Sequence, residues 1–146
     1  MTGTPVPPVS ALQRTLAAEH AAIYGYGVVG AHLSGSAKTT AAQYWTGHRQ
    51  TRDTLTAMIT ARGVSPVAAL AYYDLPFPVT STDAATALAA HLEDGVTAAY
   101  LGVVAVEDPR LRTFGALGMQ AAAERAVYWR GTTLAFPGWP GTATLG

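Results

Sequence analysis

Residues 64–80 read VSPVAALAYYDLPFPVT, and the length of this stretch decides the fold. Pro66, Pro76 and Pro78 prevent one long helix here. Tyr72, Tyr73, Leu75 and Phe77 make it too apolar for a solvated linker. It is expected to lie against the protein, and residues 68–72 are compatible with a short helical turn. On each side stand two amphipathic segments separated by only a few residues, at Ser34-Gly35-Ser36 and at Asp108-Pro109. Short connections make antiparallel neighbours, so each pair reads as a helical hairpin. About seventeen extended residues reach up to ~56–61 Å, whereas a helix of 25 residues is roughly 38 Å long. The stretch can therefore cross a whole bundle, a length that an up-down-up-down chain does not need.

The limits of the helices follow from their start and stop chemistry. Residues 1–9 are Pro- and Thr-rich and read as extended. The first helix is expected over about 10–33, with Ser10 and Gln13 as a capping box and Leu12, Leu16, Ile23 and Tyr26 in register. The second covers about 37–62, with Trp45, Leu55 and Ile59 on its stripe and Gly63 beyond its end. The crossover then occupies 64–81. Ser81 or Thr82 caps a third helix over about 82–107, carrying Leu88, Leu92, Val96, Tyr100 and Val103. Asp108 and Pro109 start a fourth over 109–131, with Phe114, Leu117, Ala121, Glu124 and Tyr128 in register. Residues 132–146 form a tail whose Phe136 and Trp139 are expected to dock on the bundle. One domain of 146 residues accommodates all of this.

Composition narrows the function. The chain is 49% hydrophobic and 12% charged, with nine basic and nine acidic residues. That balance gives no basic face for nucleic acid. There is no cysteine, which removes thiolate metal sites and cysteine nucleophiles. No apolar run has the roughly 18–20 residues that span a bilayer, and residues 1–8 have no signal core. A cytoplasmic protein is expected, without nucleic-acid or membrane partners. No phosphate-binding glycine loop and no Ser-His-Asp arrangement stands out.

With charge so scarce, a charge on an apolar stripe needs a reason. Glu19, His48, Glu93 and Glu124 supply one such group per helix. Glu19 lies sixteen residues before Gly35, Arg52 seventeen after it and His48 thirteen after it. Glu19 and Arg52 then share a height, with His48 a few ångströms away at ~1.5 Å per residue. Glu93 lies fifteen before Asp108 and Glu124 sixteen after, so they too face each other. The expected interior network is Glu19, His48, Arg52, Glu93 and Glu124. Glu19 and Arg52 pair to fix register. Glu93 and Glu124 lean out to water, share a proton, pair with Arg125 or Arg52, or bind a metal. In the alternative reading Glu19, His48, Glu93 and Glu124 hold a single Fe, Mn or Zn with N and O ligands. A further alternative is a small-ligand site lined by Tyr24, Tyr44 or Trp45.

Ala18-Glu19-His20-Ala21-Ala22-Ile23-Tyr24-Gly25-Tyr26-Gly27 resembles the first helix of a ferritin-like domain family of unknown function. So do His48-Arg49, Arg52-Asp53, Tyr73-Asp74-Leu75-Pro76, and Trp129-Arg130 with Phe136-Pro137-Gly138. The resemblance spans nearly the whole chain and implies a ferritin-like four-helix bundle, all-α, with no reaction attached. Di-iron members of the wider superfamily use one Glu from each of two helices and a Glu-x-x-His from each of the others. By that resemblance Glu19 and Glu93 match the single glutamates. His48 matches a histidine, but Trp45 stands where its glutamate belongs. Glu124 matches a glutamate, but Val127 stands where its histidine belongs. Arg52 adds a positive charge, and the counted depths separate the Glu19 and Glu93 levels by roughly 8–9 Å. The expectation is a bundle with no cofactor, its di-iron site lost or never present, acting in binding and self-associating as a homodimer.

Overall fold

A computed structural model describes residues 3–132. They form four helices, α1 (Pro8–Ala31), α2 (Gly35–Thr60), α3 (Thr82–Val104) and α4 (Pro109–Arg130), with no strand among the described residues. The later boundaries have the expected chemistry. Ser81 Oγ accepts the Ala84 amide at 3.1 Å, and Asp108 Oδ1 accepts the Arg110 amide at 2.8 Å, ahead of Pro109. Gly131 closes α4 in the left-handed region at φ 81°, a conformation that costs glycine little.

The first boundary differs. α1 starts at Pro8, not Ser10, because proline fits the first helical position, where its missing N–H is not needed. Ser10 therefore falls inside the first turn, and Gln13 is released from the expected capping box. Its amide instead clasps the α2–α3 connection, donating to the Ser65 carbonyl and accepting from the Val67 amide, both at 2.8 Å. α2 starts at Gly35 rather than 37, and α3 ends at Val104 rather than 107. Residues 68–72 contain no helical turn. The docking expected of Phe136 and Trp139 lies outside the described residues.

The helices are not equal partners. Nine positions are buried in α1 and nine in α3, against four in α2 and five in α4. α1 packs on both α2 and α3, and α3 packs on α4, while α2 and α4 approach each other only sparsely. One apolar cluster joins Tyr26, Val29, Leu33, Leu88 and Trp129. A second joins Leu12, Leu16, Leu55, Ile59, Val103 and Val106. A smaller one around Ala22, Val96, Tyr100 and Ala122 completes the core. No helix among the described residues is long and apolar enough to cross a membrane.

The α2–α3 connection touches α1 at several points. Besides the Gln13 clasp, His20 bonds the Val67 carbonyl at 3.0 Å and the Tyr24 ring meets Tyr73 at 5.5 Å. Leu75, Phe77 and Val79 pack on the first cluster, whereas Leu70 and Tyr72 face solvent. Thr82 then bonds the His32 carbonyl at 3.4 Å, setting the start of α3 beside the end of α1.

Small residues set the α3–α4 distance. A Cβ on Gly115 would lie 2.9 Å from the Val104 backbone nitrogen, which cannot swing aside. Overpacking of this kind costs about 1–3 kcal/mol, and the helix propensity gained from alanine offsets about 0.8–1 kcal/mol of it. Gly95 meets nothing within 4 Å. Gly115→Ala is therefore expected to lower the urea midpoint and Gly95→Ala to raise it. Equal midpoints would refute the close approach at Gly115.

Candidate functional site

Each helix sends one acidic or basic side chain to the interior between the helices: Glu19 from α1, His48 from α2, Glu93 from α3 and Arg125 from α4. On α1, Glu19 sits in the buried series Leu12, Leu16, Ala22, Tyr26. On α2 the buried residues Ala41, His48 and Leu55 recur every seven positions, so the helix periodicity carries His48 inward. Glu93 lies between Leu88 and Val96 on α3. Arg125 flanks the stripe of Ala122, Ala126 and Trp129 on α4.

His48 is the centre of the group. Its Nδ1 lies 2.5 Å from Glu19 Oε2 and its Nε2 lies 2.8 Å from Glu93 Oε1. A neutral imidazole has a single N–H and could donate only once. Two such contacts to carboxylates call for an imidazolium. Burial opposes that charge, but the hydrogen bonds and charges of Glu19 and Glu93 outweigh it and push the His48 pKa up to about 9. Burial alone would raise the Glu93 pKa. His48 and Arg125 reverse this and hold the carboxyl below its ordinary range.

Glu93 Oε1 collects most of the donors. His48, the Tyr26 hydroxyl at 2.6 Å and Arg125 Nε at 3.0 Å all converge on it. Trp129 Nε1 donates to the Tyr26 hydroxyl at 2.8 Å, and Tyr100 donates to Glu19 Oε1 at 3.3 Å. Burial, followed by the neighbouring carboxylate charge, raises the pKa of both tyrosines, so they stay neutral donors. Glu93 Oε2 is buried without a hydrogen-bond partner among the described residues. Two anions and two cations balance in charge. The donors point inward from both ends, which suits holding charge in place rather than passing protons along.

The residues expected in the interior are divided by the structure. Glu19, His48 and Glu93 meet. Arg52 does not: it turns outward to Asp53 at 2.8 Å. Glu124 is also outside, exposed and bonded by Gln120 at 3.1 Å. The stripe of α4 is rotated by about one residue, or ~100°. Its inward positions are Leu111, Gly115, Ala122, Ala126 and Trp129, while Leu117 and Tyr128 are exposed. The counted offset between Glu19 and Glu93 also fails, because one imidazole touches both. Tyr44 and Trp45 line different clefts. Tyr24 packs on Tyr73, Tyr44 stacks edge-on with Tyr26, Tyr128 and Trp129, and Trp45 lies under Arg49.

The expected alternative ligand set does not fit a metal. Among the described residues no group of three or more His, Asp or Glu side chains is arranged to hold one. Both His48 nitrogens are already taken by carboxylates, Glu124 faces away, and the Arg125 guanidinium would repel a cation beside Glu93.

Residues 11–141 match the family described as Domain of unknown function (DUF4439). The chain belongs to this family. It is also similar to the crystal structure of a conserved hypothetical protein, rv2844, from Mycobacterium tuberculosis. The TM-score is 0.82 at 35% identity, over 85% of this chain and 95% of that one. No curated protein matches the chain. These likenesses attach no activity to the site, so its chemistry rests on its geometry.

Proposed function

We propose that this member of the DUF4439 family is a ferritin-like bundle whose centre is held by a protonated histidine instead of metal ions. It works as a binding protein rather than a redox enzyme. In this reading two antiparallel hairpins, α1–α2 and α3–α4, are joined by a crossover that runs along α1. The Gln13 clasp, the Tyr24–Tyr73 contact and the Thr82–His32 bond support that course. The carrying observation is that His48 spends both ring nitrogens on buried carboxylates. A di-iron bundle needs those carboxylates and imidazoles as ligands. Here they neutralise one another, with Arg125 as the second cation.

Elemental analysis tests this on protein purified without a metal-binding tag. The expected result is no iron, manganese or zinc near one equivalent per chain, and a melting temperature unchanged by added Fe(II), Mn(II) or Zn(II). A ligand that binds only the folded form would raise it. Stoichiometric metal that disappears in Glu93→Gln would overturn the reading.

A further inference from the structure

The sparse contact between α2 and α4 leaves a cleft of about 260 Å³, lined by Gln43, Tyr44, Gly47, Ala121, Glu124 and Arg125. We propose that this cleft binds a small monocarboxylate with a flat apolar body. The Arg125 Nη groups hold the carboxylate, and the body lies over Gly47 and Ala121 beside the Tyr44 ring. The inference rests on the reading of the chain as a binding protein and says where, and for what chemistry.

Arg125 is built for two partners. Its Nε is committed to Glu93, and its guanidinium lies 5.8 Å from the centre of the Tyr44 ring. The Nη groups make no hydrogen bond to another described residue, and the side chain keeps 23% of its exposure. That leaves the outer fork of a positioned guanidinium available, the geometry that suits a carboxylate.

Gly47 lines the same cleft and brings no side chain to it. It lies in the interior of α2, where glycine is less favourable than alanine. A Cβ there would meet nothing within 4 Å, so packing does not require glycine. Without a side chain there, the cleft wall is flat at this position. The volume falls just below the ~300 Å³ at which drug-sized sites begin, which selects a small guest. Charge selects a monoanion. Arg125 is already shared with Glu93, and Glu124 stands on the rim, so a dianion such as phosphate meets two carboxylates with half a cation to offset them.

The test is a titration of the full chain with sodium benzoate, followed by NMR at the Arg125 Nε–H and the Gly47 amide. Saturable shifts at both are expected. Gly47→Leu fills the cleft without touching the interior ion pairs and should weaken binding at least tenfold. Arg125→Lys keeps the charge but loses the fork and should weaken it by roughly tenfold. Gly30→Leu, which faces open space on α1, should leave binding unchanged. The absence of saturable shifts, shifts that survive Gly47→Leu, or equal binding of inorganic phosphate would each overturn the proposal. Binding lost in Gly30→Leu but kept in Gly47→Leu would move the guest to the groove beside Trp45. That result sinks the cleft and leaves the binding reading standing, while stoichiometric metal sinks the reading whatever the titration shows.

Discussion

His48→Leu is expected to cost about 3–5 kcal/mol of folding stability, measured by urea denaturation near pH 6. Leucine has a similar bulk, so the loss does not come from an empty cavity. It comes from two buried carboxylates left facing each other with one cation fewer. Glu93 retains Tyr26 and Arg125, but Glu19 retains only the long 3.3 Å bond from Tyr100. Glu19 is therefore the stranded group. Adding Glu19→Gln to the leucine variant should recover more than about 1 kcal/mol, since residues in one buried network are not additive. A loss below about 1 kcal/mol in His48→Leu would show that the imidazole is not what balances the carboxylates.

The second large effect is a stability that falls on the alkaline side. The His48 pKa stands at about 9 in the folded chain against 6.5 for an unperturbed imidazole. Folding therefore favours the protonated form. The stability it brings is complete below pH 6.5 and is lost as the pH rises through about 9. At ~1.4 kcal/mol per pKa unit the whole loss is of order 3 kcal/mol. The raised Tyr26 and Tyr100 pKa values extend the decline above pH 10, because folding resists forming tyrosinate. Glu93 works in the opposite direction. Its lowered pKa gives stability that is present above the ordinary carboxylate range and is lost as the pH falls through the folded value. Stability should thus be greatest between about pH 5 and 6.5, by urea midpoints taken across pH. In His48→Leu the decline between pH 6.5 and 9 should be absent. A wild-type midpoint that is level from pH 6 to 9 would contradict the buried imidazolium.

Much of the fold was legible because its punctuation is local. Ser81, Asp108-Pro109 and Gly131 mark helix ends through bonds that a short window of sequence contains. The site was legible only where polarity contrasted with an apolar stripe, which was enough for Glu19, His48 and Glu93. Depth depends on where the turn is centred. Glu19 and His48 are equidistant from Leu33-Ser34, whereas counting from Gly35 moves the partner by about one turn, to Arg52. In α4 the error had another source. Leu117 and Tyr128 look like core residues, and Gly115, Ala122 and Ala126 do not, yet close approach to α3 rewards smallness over hydrophobicity. With that stripe rotated, Glu124 took the place of Arg125. Tyr26 and Tyr100 stand on their stripes like ordinary core residues, and Trp129 lies off the expected α4 stripe, so spacing gives none of them a polar role. Their polar tips acquire partners only when three helices meet.

α2 rests on four buried residues, and one of them is His48. Leu55 and Ile59 anchor the second half of the helix, while the first half buries Ala41 and the imidazole fully and packs Ala37, Tyr44 and Trp45 only partly buried on the first cluster. Local opening tracks sparse burial, so hydrogen exchange is expected to be faster from Gly35 to His48 than in α1 and α3. Loss of the His48 proton is expected to speed that exchange further, because the imidazole then gives up one of its two carboxylate bonds.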